Sequence, residues 1–274
     1  MADVSFGQYY PANSFVHKCD PRLKILFFIA YIVAIFLANN FYALAVAAAC
    51  FIVIAIVAKI PFRSLLRSIK GVLFLLLFTA LLNLFFYSGK PETDTLLWEW
   101  WIIKIWDGAI YFALFLAIRL TLLVLVSSLL TLTTTPVSLT DGLESLLYPF
   151  KLIKLPVHEL ALIMSIALRF IPILTDETAR IINAQKARGA DFETGGPIKR
   201  IKAVVPILIP LLISAFRRAD ELGDAMDARC YSGSKVRTKY KKLTFGYRDF
   251  IATIFGVLLL AGIIALRIFV APVI

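Results

Sequence analysis

Two short motifs in this chain place an arginine between an alanine and a small residue. They are Ala187-Arg188-Gly189 and Ala228-Arg229-Cys230, and the arginines lie 41 residues apart, at positions 188 and 229. We call them the tip motifs. A guanidinium group stays charged at every physiological pH and can form two parallel hydrogen bonds with a carboxylate. These residues therefore favour ionic binding over catalysis.

Motifs of common enzymes are missing from the sequence. It contains no GxxxxGK[ST], which excludes an ATP-binding P-loop. His158-Glu159 begins like a zinc-protease motif, but Leu162 stands where HExxH requires the second histidine. The chain has two histidines and three cysteines, without a CxxC pair. We therefore expect no catalytic, cofactor-binding or metal-binding residue in this chain.

The composition predicts that lipid surrounds part of the chain. Of its 274 residues, 60% are hydrophobic and 17% are charged, against roughly 45–50% and about 25% in soluble domains. A soluble core of this size cannot bury so much apolar surface. We therefore predict an all-α integral membrane protein with about five transmembrane helices. The net charge of +11 fits basic cytoplasmic loops better than nucleic-acid binding.

Five apolar segments reach the minimum of about 17 residues that a transmembrane helix needs. They cover residues 23–39, 41–58, 71–88, 108–132 and 250–272. Residues 59–70 carry four bases and no acid, and residues 133–248 carry eighteen bases and eleven acids. Residues 89–107 carry two bases and four acids. Because basic loops stay inside, we predict a cytoplasmic N-terminus and an extracellular C-terminus.

These segments suggest three parts. They are a membrane domain (1–132), a cytoplasmic module of long coupling helices (133–248) and a last transmembrane helix (249–274). Asp141 and Glu144 have capping-box spacing and predict a helix start.

Two longer amphipathic helices follow in the module and end at the tip motifs. The first starts after Pro156, and Gly189 and the pair Gly195-Gly196 end it. Pro206 and Pro210 interrupt the apolar segment that precedes the second. Residues 157–175 and 203–216 could instead be further spans, but residues 176–202, which are net basic, would then lie outside.

Several residues inside the predicted spans need partners. Arg119 lies in the middle of the fourth span, where a charge costs at least about 2.5–3.5 kcal/mol. It should face protein or water, in a structural or a functional role.

Small residues in the second span predict close helix packing; they are Ala43, Ala47, Ala48 and Ala55. The four tryptophans lie between positions 98 and 106 and predict an anchor at the outer membrane surface.

The sequences around the tip motifs resemble a known family. Ala167-Leu168-Arg169-Phe170-Ile171-Pro172 precedes the first, and Pro206-Ile207-Leu208-Ile209-Pro210-Leu211 precedes the second. Near the N-terminus stand Ser14, His17, Asp20-Pro21-Arg22 and Lys24. Together they resemble the transmembrane T component of energy-coupling factor (ECF) transporters, which are ABC-type importers of vitamins and transition-metal ions.

This resemblance implies a role for each tip motif. Each would end a coupling helix and contact one of two cytosolic ABC-type ATPase subunits. The residues that match are Ala187, Arg188, Gly189, Ala228, Arg229 and Cys230. Cys230 stands where glycine is common, and we expect this to change the helix end, because other residues resist the left-handed conformation.

The resemblance further implies a bacterial plasma-membrane subunit that works in a complex. A substrate-binding S component would lie beside it in the membrane, and ATP and magnesium would be bound by the ATPases. The chain itself would not be an enzyme.

Two other functions remain open from the residues alone. A membrane-embedded enzyme acting on lipid or prenyl substrates would need clustered carboxylates or histidines, whereas the acids here are scattered along helices. A self-contained channel or secondary transporter would usually need more spans and internal repeats.

Overall fold

The computed structural model describes residues 9–86, 96–100, 103–149, 156–190, 196–231 and 245–269. In this part of the chain the helices are α1 (Pro21–Leu37), α2 (Phe41–Ala58), α3 (Phe62–Phe86), α4 (Asp107–Thr133), α5 (Pro136–Leu147), α6 (Val157–Ala187), α7 (Pro197–Ala228) and α8 (Tyr247–Phe269). The all-α membrane class is confirmed. One addition is a short antiparallel hairpin of β1 (Leu96–Trp100) and β2 (Ile103–Trp106), which the sequence did not predict.

Contacts divide the chain into two compact units. The first comprises Met1–Val157 with Leu243–Ile274, and the second comprises His158–Lys242. The tip motifs therefore belong to one unit. These two units are defined by which residues contact one another. The predicted boundaries at residues 132 and 248 were instead placed at the ends of predicted transmembrane helices.

Five of the described helices are long and apolar enough to cross a membrane, namely α2, α3, α4, α6 and α8. The number agrees with the prediction, but the set differs. The first predicted span forms α1, whose 17 residues are one fewer than the 18 of α2 and stand at the lower limit for a transmembrane helix. The helix α6 qualifies with 31 residues, although the sequence analysis placed it in the cytoplasmic module.

The first unit is built around α1, which contacts α2, α4, α5 and α8. The predicted packing of the alanine-rich second span is confirmed, because Ala43 and Ala47 are fully buried. The Tyr31 hydroxyl of α1 donates a hydrogen bond to the Ala47 carbonyl of α2 at 2.7 Å. Small side chains on α2 allow this close approach.

Arg119 closes the C-terminal end of α1. Its guanidinium donates a hydrogen bond to the carbonyl of Ala38, the C-cap of α1, and lies 4.7 Å from the centre of the Phe115 ring. The last carbonyls of a helix lack partners within it and carry partial negative charge. The structure therefore supplies the protein partner that was predicted for Arg119.

The helix α5 begins earlier than predicted. Thr135 is its N-cap and accepts a hydrogen bond from the Ser138 amide at 3.3 Å, and Pro136 is the first helical residue. Asp141 and Glu144 lie inside this helix, so the predicted start is wrong. A threonine cap followed by proline was the stronger signal.

The prolines of α7 do not interrupt it. Pro206 and Pro210 lie inside one continuous helix of 32 residues. Each removes one backbone donor, which neighbouring groups can compensate in long apolar helices.

Candidate functional site

The tip motifs lie at the C-terminal ends of two long helices of the second unit. Ala187 is the last residue of α6, and Ala228 is the last residue of α7. In each motif, the arginine follows as the first residue beyond the helix.

The helix α6 ends in a Schellman motif. The Gly189 amide donates to the Lys186 carbonyl at 3.0 Å, and the Ala190 amide donates to the Gln185 carbonyl at 3.0 Å. Gly189 has φ +85°, the left-handed conformation that this motif requires. The predicted helix end at Gly189 is confirmed.

The end of α7 repeats this geometry. The Cys230 amide donates to the Asp227 carbonyl at 2.8 Å, and the Tyr231 amide donates to the Met226 carbonyl at 3.0 Å. Cys230 has φ +55°, so it adopts the left-handed conformation despite its side chain. The expectation that cysteine would change this helix end is therefore wrong, and the two tips share one backbone design.

Substitutions at the third residue of each tip motif should have opposite effects on the stability of the two helix ends. Cys230→Gly should stabilise the end of α7 by about 1 kcal/mol, because left-handed backbone strains a residue with a Cβ. Gly189→Ala should destabilise the end of α6 by a similar amount through the backbone alone, since a Cβ there meets no atom within 4 Å. Hydrogen–deuterium exchange of the amides at residues 189–190 and 230–231 measures both effects. Changes of the same sign would contradict this account.

Both tip arginines are exposed to solvent. Arg188 and Arg229 are exposed together with the residues on either side of them. In the part of the chain that the structure describes, neither guanidinium makes a hydrogen bond or an ion pair. Each therefore offers its full set of donors to another molecule.

An ion pair joins α6 and α7 at equivalent positions. Arg218 Nη2 lies 3.6 Å from Glu177 Oε2, with side chains that are 34% and 26% exposed. Glu177 precedes Arg188 by 11 residues, and Arg218 precedes Arg229 by the same number (177 to 188, 218 to 229). At 1.5 Å per residue, about 16 Å of helix separates this contact from each arginine.

Neighbouring charges follow the same repeat with opposite signs. Asp176 of α6 corresponds to Arg217 of α7, and Arg180 corresponds to Glu221, again 41 residues later. The repeat of the tip motifs was predicted from the sequence, whereas this inverted charge pattern was not. The signal was present in the spacing of the charges.

The ion pair can be tested by exchanging its charges. Glu177→Arg alone should place two guanidinium groups together and lower the melting temperature, and Arg218→Glu should act likewise with two carboxylates. The double variant E177R/R218E should recover most of the loss, with a coupling energy of about 1 kcal/mol for a partly exposed pair. Thermal unfolding of the four proteins in detergent measures this, and strictly additive shifts would refute the pairing.

The N-terminal residues of the resemblance lie together in the first unit. The Asp249 carboxylate accepts hydrogen bonds from the amides of Asp20 and Gly246, each at 2.8 Å. Lys24 Nζ donates to the carbonyls of His17 and Thr133, each at 3.1 Å. These bonds join the starts of α1 and α8 to the end of α4.

His17 fixes the segment before α1. Its Nε2 donates to the Tyr10 carbonyl at 3.0 Å, and its Nδ1 lies 2.7 Å from the Ser14 hydroxyl, which can donate to a neutral ring. Burial lowers the pKa of His17 below its usual value. The neutral ring therefore serves here as a structural link.

The sequence did not reveal the role of Asp249, which links the starts of α1 and α8. It is 4% exposed and belongs to the first turn of α8. Gly246 with an acid three residues later is half of a capping box, which was the available signal. Among the described residues, no group of three or more His, Cys, Asp and Glu side chains is placed to hold a metal ion.

Comparison with known proteins adds to this geometry. Residues 12–240 match the CbiQ family, described as cobalt transport protein. The energy-coupling factor transporter transmembrane protein EcfT of Ruminiclostridium cellulolyticum is 46% identical over 267 residues, 97% of this chain and 98% of that protein. EcfT of Clostridium kluyveri is 46% identical over 98% of both chains.

A third relative is similar over most of its length. EcfT of Bacillus subtilis is 44% identical over 250 residues, 91% of this chain and 92% of that protein. The CbiQ match over residues 12–240 includes both tip motifs and the N-terminal residues from Ser14 to Lys24. These matches confirm the resemblance stated above, and the chain belongs to the CbiQ/EcfT family as the transmembrane component of a bacterial energy-coupling factor transporter.

Proposed function

We propose that this chain is the scaffold that couples ATP hydrolysis by two cytosolic ABC-type ATPase subunits to uptake of a vitamin or metal ion. The substrate would be held by a separate S component in the membrane. ATP and magnesium would bind to the ATPases, and this chain would be a non-catalytic subunit.

The observation that carries the proposal is the duplicated helix end. Two exposed arginines follow helices that finish with the same hydrogen bonds. Two helix ends with the same geometry are best explained by two partners of the same kind, each of which binds one tip motif. An acidic groove on each ATPase would accept one guanidinium through a bidentate pair.

The arrangement of α6 and α7 suits the transmission of force. Each helix carries its tip about 16 Å beyond the ion pair between Glu177 and Arg218. A displacement imposed on one tip would therefore pass to the other helix through this contact. Lysine at the tips would keep the charge but lose the paired hydrogen bonds that resist slippage.

Charge asymmetry supports the orientation included in the proposal. The tips lie within residues 133–248, which carry eighteen bases and eleven acids, and basic segments stay in the cytoplasm. The N-terminus would be cytoplasmic and the C-terminus extracellular. Labelling from outside the cell of a cysteine placed at position 188 would overturn this orientation.

Affinity purification of the tagged chain from its native membrane tests the proposal directly. Mass spectrometry should identify two ABC-type ATPase chains and at least one small, strongly apolar membrane protein. A chain that purifies alone in mild detergent would refute the coupling role. Turnover of a lipid or prenyl substrate by the isolated chain would instead favour a membrane-embedded enzyme.

A further inference from the structure

One side of α3 changes from basic to apolar along its length. Arg63, Arg67 and Lys70 are spaced by four and three residues, which places them on one side of the helix. All three are exposed. The same side continues with large apolar residues that are 42–82% exposed; they are Phe74, Leu77, Phe78, Leu81 and Phe85. We call these eight residues the α3 stripe.

The opposite side of α3 packs against α4. The hydroxyls of Ser68 and Ser128 are hydrogen-bonded at 2.6 Å, and Leu65 and Leu76 are buried. Residues 65, 68 and 76 point away from the stripe, since 3.6 residues complete one turn. The stripe therefore adds nothing to the core of the described protein and faces outward.

The three bases lack acidic neighbours. The helix α3 contains no aspartate or glutamate, and residues 59–70 carry four bases and no acid. Within the described ranges, none of the three bases forms an ion pair. Three uncompensated cations on one helix side attract a multiply coordinated anion such as a phosphate.

The apolar part of α3 begins directly after the bases. Phe74 and Phe85 are 11 residues apart, or about 16 Å along the helix axis, which is more than half of a hydrocarbon core about 30 Å thick. A lipid whose headgroup lies at the bases therefore has its acyl chains beside these apolar residues.

We infer that the α3 stripe binds an anionic phospholipid. Arg63, Arg67 and Lys70 hold its phosphate, and the acyl chains lie along the apolar residues from Phe74 to Phe85. The basic and apolar parts on a single helix side favour a lipid over an acidic protein surface, which would satisfy only the bases. A zwitterionic lipid binds more weakly, because its own cation competes with the three bases.

Lipid titration of the purified full-length chain in mild detergent tests this inference. Native mass spectrometry counts bound phosphatidylglycerol and, in parallel, bound phosphatidylcholine. The unaltered chain should prefer phosphatidylglycerol. The variant R63Q/R67Q/K70Q should bind it about fivefold more weakly for each base removed, or roughly a hundredfold in total, with phosphatidylcholine binding unchanged.

Two matched variants separate the site from general charge. R63K/R67K/K70R keeps the three charges and should keep the preference. R180Q/K202Q/R217Q removes three exposed charges from α6 and α7 and should leave lipid binding unchanged. Addition of phosphatidylglycerol should also raise the melting temperature of the unaltered chain but not of the neutral α3 variant, which distinguishes lost binding from misfolding.

Three results would overturn the inference. They are equal binding of the two lipids by the unaltered chain, a retained preference in R63Q/R67Q/K70Q, and an equal loss in the α6 and α7 variant. Release of a co-purifying protein by R63Q/R67Q/K70Q, with lipid binding intact, would assign the stripe to a protein interface instead.

Discussion

Reversal of both tip arginines, R188E/R229E, is expected to release the ATPase subunits from the complex. Loss of one member of a buried interfacial charge pair costs about 2–5 kcal/mol, and a glutamate adds repulsion from the acidic groove. Each ATPase would therefore lose at least about 2 kcal/mol of binding free energy, a weakening of at least about thirtyfold for each subunit. Quantitative mass spectrometry of the purified complex measures the ATPase chains retained for each tagged subunit.

Single and conservative variants separate the contribution of each tip motif and of the guanidinium group. Arg188→Glu or Arg229→Glu alone should release only one ATPase, because each tip is proposed to hold one subunit. R188K/R229K keeps the charge without the guanidinium fork and should give an intermediate loss. Both tips are exposed, so none of these variants should alter the fold. An intact and active complex with R188E/R229E would show that the tips do not carry the coupling.

Replacement of Asp249 should strongly destabilise the first unit. Asp249→Ala removes the acceptor of two backbone donors, the buried amide of Asp20 and the partly buried amide of Gly246. Hydrogen bonds to a charged group contribute about 1.5–3 kcal/mol each, so we expect a loss of about 3 kcal/mol or more. Asp249→Asn keeps one acceptor oxygen and should lose about half of this.

Thermal unfolding of the purified chain in detergent measures the Asp249 effect. Asp224→Ala, at an exposed acid of α7, is the control and should leave the melting temperature nearly unchanged. Equal shifts for Asp249→Ala and Asp224→Ala would show that the bridge between α1 and α8 adds no stability.

Local patterns in the sequence predicted the elements that depend on neighbouring residues. The end of α6 at Gly189 and the packing of the alanines of α2 both follow from local chemistry. The position of the tip motifs at two helix ends was also predictable, because the amphipathic pattern stops there.

Features that depend on distant residues were not predictable in this way. Asp20 and Asp249 are 229 residues apart, and no periodicity relates them. Arg119 was recognised as needing a partner, but the carbonyl of Ala38 could not be named until α1 was seen to end there. The β1–β2 hairpin pairs residues such as Glu99 and Lys104, where the tryptophans had suggested only an interfacial anchor.

The inverted charges of α6 and α7 also determine which helices can pair. If α6 of one copy lay on α6 of another in the same way, Glu177 would meet Glu177, and two α7 helices would bring Arg218 against Arg218. Like charges in such positions repel, while the α6–α7 pair places opposite charges together. The pattern therefore discriminates against self-association of either helix and favours the correct pairing while the membrane complex assembles.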